Sequence, residues 1–148
     1  MRALLQRVST ASVEVADQRI ATIGSGLLAL VAAGAGDGPD DARRLARKIA
    51  ALRVFADADG HMNRSLSEVD GEILCVSQFT LYADVRRGNR PSLGAAAPAE
   101  IGRPLVDLVV TELAALGLSV QTGRFGAEMR VALVNEGPVT IWLDTATW

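Results

Sequence analysis

The chain has 148 residues, 49% of them apolar, with a formal charge of −2, one histidine and one cysteine. That length suits one domain, 1–148, with a sizeable core, and the charge balance argues against a broad basic face gripping long nucleic acid. A single cysteine excludes an internal disulfide, apolar stretches such as "GLLALVAAGAG" fall well short of a membrane span, and "MRALLQRVST" lacks a signal-peptide core; the expected location is the cytoplasm, away from membranes.

In chain order, "TASVEVADQRIATIG" alternates Ala11, Val13 and Val15 with Ser12 and Glu14, turns at Asp17-Gln18 and continues around Ile20 and Ile23. This pattern predicts a hairpin with one wet face. "LLALVAA" is a continuous apolar run suited to a central strand. From Pro39 the positions Ala42, Leu45, Ile49 and Leu52 recur at helical spacing, with Asp40 and Asp41 in the first turn. "EILCVSQ" predicts a buried strand in which Cys75 fills the core. A second helix is predicted over 103–116, with Pro104 in its first turn and Gly117 as its stop. Three strands follow, near Val120, over 131–134 and over 139–143. Hairpins with two main helices indicate an α+β domain.

Several motifs fail on chemistry. "GAGDGPDD" follows a strand and opens a helix, but its glycines are out of register for a nucleotide loop, and Asp40 and Asp41 would repel a phosphate. "DADGHMNRSLSE" has the length of a calcium loop, yet Met62 stands where a glycine must make the sharp turn. His61 is the only imidazole, so any Ser-His or Cys-His pair would have to be built on that acidic turn; it reads as an exposed turn residue. No metal ligands and no cofactor are expected.

What remains is "SQFTLYADVRRGNRPS". If 77–81 is extended, Gln78 and Thr80 point to one face while Ser77, Phe79 and Leu81 point to the other, and the amide and hydroxyl together can hold a polar substrate. The bland reading is the wet side of a strand. Arg86, Arg87 and Arg90 then crowd one loop, where arginine suits phosphate or carboxylate; the alternative is a solvated turn. "VNEGPVTIWLD" sets Gly137-Pro138 between two β-type runs, where it is either an ordinary turn or a backbone wanted elsewhere.

"SQFTL" and "NEGPVT", with the opening "QRV" and the late "TGRFGAEM", resemble the bacterial-type D-aminoacyl-tRNA deacylases over nearly the whole chain. Ser77 and Phe79 match the D-specific branch rather than relatives that remove other amino acids. The resemblance implies a largely antiparallel, barrel-like sheet core in a homodimer. It also implies hydrolysis of the ester of D-aminoacyl-tRNA, and of glycine mischarged on alanine tRNA, as translation proofreading. Gln78 and Thr80 would be catalytic, with Ser77, Phe79, Leu81, Phe125 and Met129 binding substrate. A cis Gly137-Pro138 bond would enter the partner subunit's site as a chiral filter, supported by Arg7. Arg86, Arg87 and Arg90 would contact tRNA. The RNA 2′-OH is expected to assist hydrolysis, with Thr80 as the alternative nucleophile. Two rival readings are a non-enzymatic nucleic-acid-binding module and an editing domain for L-amino acids, the latter disfavoured by "NEGPVT".

Overall fold

Two long strands from the ends of the chain frame the sheet. In the computed structural model, which covers residues 1–148, β1 (Arg2–Val15) runs antiparallel to a strand spanning Arg130–Asp144 along almost its full length. The other edge of β1 is shared. Its residues 11–15 pair with β2 (Gln18–Ile23) and its residues 2–8 with β3 (Gly26–Ala32). The hairpin turn lies at Ala16 and Asp17, one residue earlier than predicted, and both have positive φ as a two-residue I′ turn requires.

Beyond β3 the sheet becomes parallel. The helix α1 (Pro39–Ala51) and a small hairpin of β4 (Phe55–Ala56) and β5 (Met62–Arg64) lead into β6 (Glu72–Ser77), which pairs parallel with β3. The helix α2 (Ala99–Ala115) leads into β7 (Ser119–Thr122), parallel to β6, and β8 is the Arg130–Asp144 strand. The three ladders of β1 keep the sheet largely antiparallel, and these two pairings are parallel because a helix between two neighbouring strands makes a crossover, which returns the chain in the same direction.

Both faces of the central strands are buried, which is why "LLALVAA" lacks polar alternation. Leu27, Ala29, Val31, Ile73 and Cys75 face a core shared with Leu45 and Ile49 of α1 and Val109 and Leu113 of α2. Leu28, Leu74 and Val76 face a second cluster with Val8, Val13, Ala21 and Ile23, joined by Val131 and Leu133. Strands from opposite ends of the sheet meet in that second cluster, so the sheet is curled into a nearly closed, barrel-like form.

The helix α1 starts as predicted. Gly38 caps it, and the Asp41 carboxylate accepts the Gly38 N–H at 3.0 Å, a bond that lowers its pKa. Leu52 lies just past its end. The helix α2 begins at Ala99, four residues earlier than predicted, because Pro98 is its cap and Pro104 lies inside it. Pro104 is exposed, so the Glu100 carbonyl that loses its donor can turn to solvent.

The largest correction concerns β8. Two strands separated by Gly-Pro were expected, but one strand carries both runs. Gln6 pairs with Thr140 and Val8 with Asn135, so residues 136–139 stand opposite Arg7 alone. The step is therefore an excursion within a ladder, of the kind that re-aims backbone. Asn135 closes its neck, accepting from Val139 N at 3.2 Å and donating to Thr140 Oγ1 at 3.1 Å. The Gly137-Pro138 bond is cis.

Candidate active site

The site segment begins where β6 ends. Gln78 N donates to Val31 O at 2.8 Å, holding the chain beside β3, and residues Phe79–Tyr82 then form a 3₁₀ turn. Strand-like alternation through 77–81 is therefore corrected: β6 stops at Ser77, and the turn closes through Leu81 N to Gln78 O and Ala83 N to Thr80 O. Gln78 and Thr80 still meet, because the side-chain amide Nε2 of Gln78 donates to Thr80 Oγ1. Thr80 and Phe79 are exposed, while Ser77, Gln78 and Leu81 are half-buried.

Ser77, Gln78 and Phe79 form a wall between two cavities. A cavity of 70 Å³, mostly apolar, lies toward Ala33, Val106 and Phe125. One of 230 Å³ lies toward Ala127, Met129 and Val131. The 122–129 segment is fastened to β6 by Gly123 N, which donates to Cys75 O at 3.1 Å, and is folded on itself by Arg124 N to Met129 Sδ at 3.4 Å. A Cβ at Gly123 would lie 2.7 Å from that sulfur, so a side chain there would push the Met129 side chain away and break the Arg124 contact. Arg103 of α2 was not singled out from sequence. Its guanidinium lies 5.0 Å from the Phe125 ring centroid and donates to Phe125 O at 3.4 Å.

A second network holds the 3₁₀ turn from below, and sequence reasoning missed it as well. Tyr82 Oη donates to Asp37 Oδ2 at 2.8 Å, and the same oxygen accepts Gly34 N at 2.6 Å. The N-terminal ammonium lies 2.8 Å from Asp37 Oδ1. Burial first, then the Asp37 bond, pushes the Tyr82 hydroxyl well above its ordinary pKa. Arg2 covers the ring at 4.2 Å, pairs with Asp144 at 2.9 Å and donates to Leu81 O at 3.0 Å. The "GAGDG" loop rejected as a phosphate cradle thus uses its aspartate as an internal anchor. The glycine signal was visible, but its partner 45 positions away was not.

The remaining candidates fall elsewhere. Gly137 and Pro138 are exposed and line neither cavity. Arg7 lies beneath them, with Nε donating to Glu136 O at 3.1 Å and Nη1 to Val54 O at 2.5 Å. Arg86, Arg87 and Arg90 project from a loop closed by paired backbone bonds between Asp84 and Ser92 at 2.8 and 2.9 Å. Arg86 forks onto Asp84 at 2.9 and 2.7 Å, and that bond holds the Asp84 carboxyl down at about 2. Arg87 and Arg90 are exposed and pair with no carboxylate.

The other titratable candidates offer little to hydrolysis. Burial pushes the Cys75 thiol up to about 12, so it is protonated. Asp57, Asp59 and His61 approach one another within 4.8 Å on an exposed turn. Asp57 Oδ1 there accepts the backbone N–H of Asp59 and of His61 at 3.0 and 2.9 Å. The cavity walls hold Ser77 and Gln78 and no titratable side chain, while Thr80 lines neither cavity and meets Gln78 from the exposed turn.

The sequence model of the D-Tyr-tRNA(Tyr) deacylase family matches residues 4–144. A D-aminoacyl-tRNA deacylase of Roseiflexus sp. (strain RS-1) is 62% identical over 99% of this chain and 94% of its own. One from Chromobacterium violaceum is 60% identical over 98% and 97%. Among solved structures, a c-Myc DNA unwinding element binding protein superposes with a TM-score of 0.91 at 39% identity, covering 97% of this chain and 98% of that one. A probable eukaryotic D-amino acid tRNA deacylase shares the fold at a TM-score of 0.83 and 18% identity, over 96% and 97% of the two chains. No helix is long and apolar enough to cross a membrane. With matches of this length and identity, the chain belongs to the D-Tyr-tRNA(Tyr) deacylase family.

Proposed function

We propose that this chain hydrolyses the ester joining a D-amino acid to the 3′ end of tRNA, releasing the amino acid and free tRNA in the cytoplasm. The observation that carries this reading is the Gln78–Thr80 pair, set on a turn between two cavities in a chain 62% identical to a D-aminoacyl-tRNA deacylase. Water attacks the ester carbonyl carbon, the bond to the ribose oxygen breaks, and that oxygen leaves with a proton. Gln78, Thr80 and nearby main-chain amides orient the ester and bind the developing oxyanion, work that neutral dipoles do well in a confined site. The neighbouring ribose 2′-OH assists the proton transfers. Thr80 acts by position: its oxygen already accepts from Gln78, and no base is at hand to take its proton.

In this reading Ser77, Phe79 and Leu81 shape the site, while Phe125 and Met129 receive the terminal adenosine. Chirality is read at the α-carbon, since D- and L-amino acids carry the same side chain. Two copies form a homodimer in which the Gly137-Pro138 step of one faces 77–81 of the other, and its carbonyls clash with an L-substrate. Support for this arrangement lies in the exposed excursion, its Arg7 buttress and its absence from the lining of its own subunit's cavities. Glycine has no side chain for such a filter to reject, so glycyl-tRNA passes it.

The 39%-identical DNA-binding relative keeps a rival in view, a module that binds nucleic acid without chemistry. A deacylation assay on tRNA charged with D- and L-tyrosine separates the two. Expected is cleavage of the D-ester with a preference of at least about a hundredfold, which corresponds to about 2.7 kcal/mol. No cleavage of either ester, with tight duplex DNA binding, would favour the rival.

A further inference from the structure

Four basic residues crowd six positions of α1, Arg43, Arg44, Arg47 and Lys48, in a chain whose net charge is −2. Arg43 is neutralised by Asp40 at 3.0 Å and Glu112 at 3.5 Å. Arg44, Arg47 and Lys48 have no Asp or Glu carboxylate within ion-pair reach. Arg44 and Lys48 sit four apart on one helix face, a spacing at which like charges destabilise a helix. The half-exposed indole of Trp148 lies against both, its ring centroid 5.8 Å from the Arg44 guanidinium and 5.5 Å from Lys48 Nζ. Arg44 Nη2 also donates to a main-chain oxygen of Trp148 at 3.0 Å, which fixes that residue against the helix and leaves the exposed Arg47 and Lys48 as the free cations. Together with Arg47 and Ala51 these groups bound an open groove of 320 Å³. None of them lines the cavities beside Gln78 and Thr80.

We infer that this groove is a second RNA-binding surface, in which Arg47 and Lys48 take backbone phosphates while Trp148, held by Arg44, packs its flat face on a base or ribose of the tRNA body. A flat aromatic bordered by unneutralised cations matches the alternation of ring and phosphate along a nucleotide chain. An acidic peptide would use the cations and leave the ring idle. The choice of tRNA as the RNA rests on the deacylase reading above. The placement also agrees with a small enzyme that must hold a large substrate whose reacting ester is at one tip: a grip away from the ester positions the substrate without touching the chemistry.

The test uses the full chain. Uncharged tRNA is titrated against wild type, the exposed double variant Arg47→Glu/Lys48→Glu and Trp148→Ala, at salt concentrations from about 50 to about 200 mM, the range over which phosphate neutralisation registers. The double variant is expected to bind roughly tenfold more weakly at the lowest salt, with a slope of log affinity against log salt shallower by roughly 1.4–1.8, or 0.7–0.9 for each phosphate that is no longer neutralised. Trp148→Ala should weaken binding with the slope unchanged, since stacking releases no counterions. Thermal melts establish that each variant is folded, and Lys48→Arg should retain wild-type binding. An unchanged affinity and slope in the folded double variant overturns the inference, as does wild-type binding to anionic phosphatidylglycerol vesicles with none to tRNA. Wild-type turnover of a D-aminoacyl-adenosine ester, which lacks the tRNA body, tests the deacylase reading separately. Failure there with loss of RNA binding in the double variant would leave this surface standing and remove the enzyme.

Discussion

Gly137→Ala is the perturbation that most directly probes how the β8 excursion is built. Gly137 has a φ of +128°, and a Cβ placed on it would lie 2.8 Å from Val139 Cγ2, 2.9 Å from Arg7 Nη2 and 3.0 Å from Val139 N. The side chains can give, but the backbone nitrogen of the next-but-one residue cannot. An L side chain held in a sparsely populated backbone region costs about 1–3 kcal/mol. Displacing Arg7 also weakens its bonds to the Glu136 and Val54 carbonyls, with a cost discounted because Arg7 is only half-buried. A net loss of about 2 kcal/mol follows, read as a fall in Tm of about 4–8 °C for a domain of this size. Gly60→Ala is the control: its φ is +83°, yet nothing lies within 4 Å of its added Cβ, so it isolates the backbone cost, about 1 kcal/mol. If the excursion is the chiral filter, a shift of about an ångström should lower kcat/KM for D-aminoacyl-tRNA on the order of a hundredfold. Should Gly137→Ala melt with Gly60→Ala and keep kcat/KM within about twofold, the steric argument and the filter built on it both fail.

Other expectations follow from the same geometry. Thr80→Ala should retain deacylation within about tenfold of wild type, because positioning is shared with Gln78; trapping an acyl group on Thr80 would reverse the assignment. Glutamine at Arg87 and Arg90 should weaken tRNA binding and flatten its salt dependence by roughly 0.7–0.9 for each arginine removed, whereas Arg86→Gln should change the slope least because Asp84 already holds that guanidinium. An equal effect of all three would contradict the pairing. Cys75, with its pKa raised to about 12 by burial, should resist iodoacetamide at mildly alkaline pH until the protein unfolds; fast labelling of the native protein would refute the burial. Deacylation should survive exhaustive chelation despite the Asp57–Asp59–His61 turn, and a complete, zinc-reversible loss would show that a metal works there.

Local sequence determined those features whose causes are local. Period-two alternation placed the first hairpin, the Pro39 start and its acidic turn placed α1, and an apolar run without alternation marked β3 as buried on both faces. The pairing of "SQFTL" with "NEGPVT" was enough to indicate the family. The start of α2 was misread because Pro104 looks like a first-turn proline until Pro98 is seen to cap the helix, a choice between two prolines that packing decides. The parallel pairings of β6 were equally invisible, since strand neighbours depend on where the crossovers lie. Tertiary structure alone decided that residues 136–139 stand opposite Arg7 as an excursion within one strand, because register is a relation between two segments far apart in the chain. It also decided that Asp37 anchors Tyr82, that Arg103 covers Phe125, and that Trp148 stands over the basic face of α1. Each of these pairs joins residues that no periodicity links, and only the folded chain brings their side chains within reach.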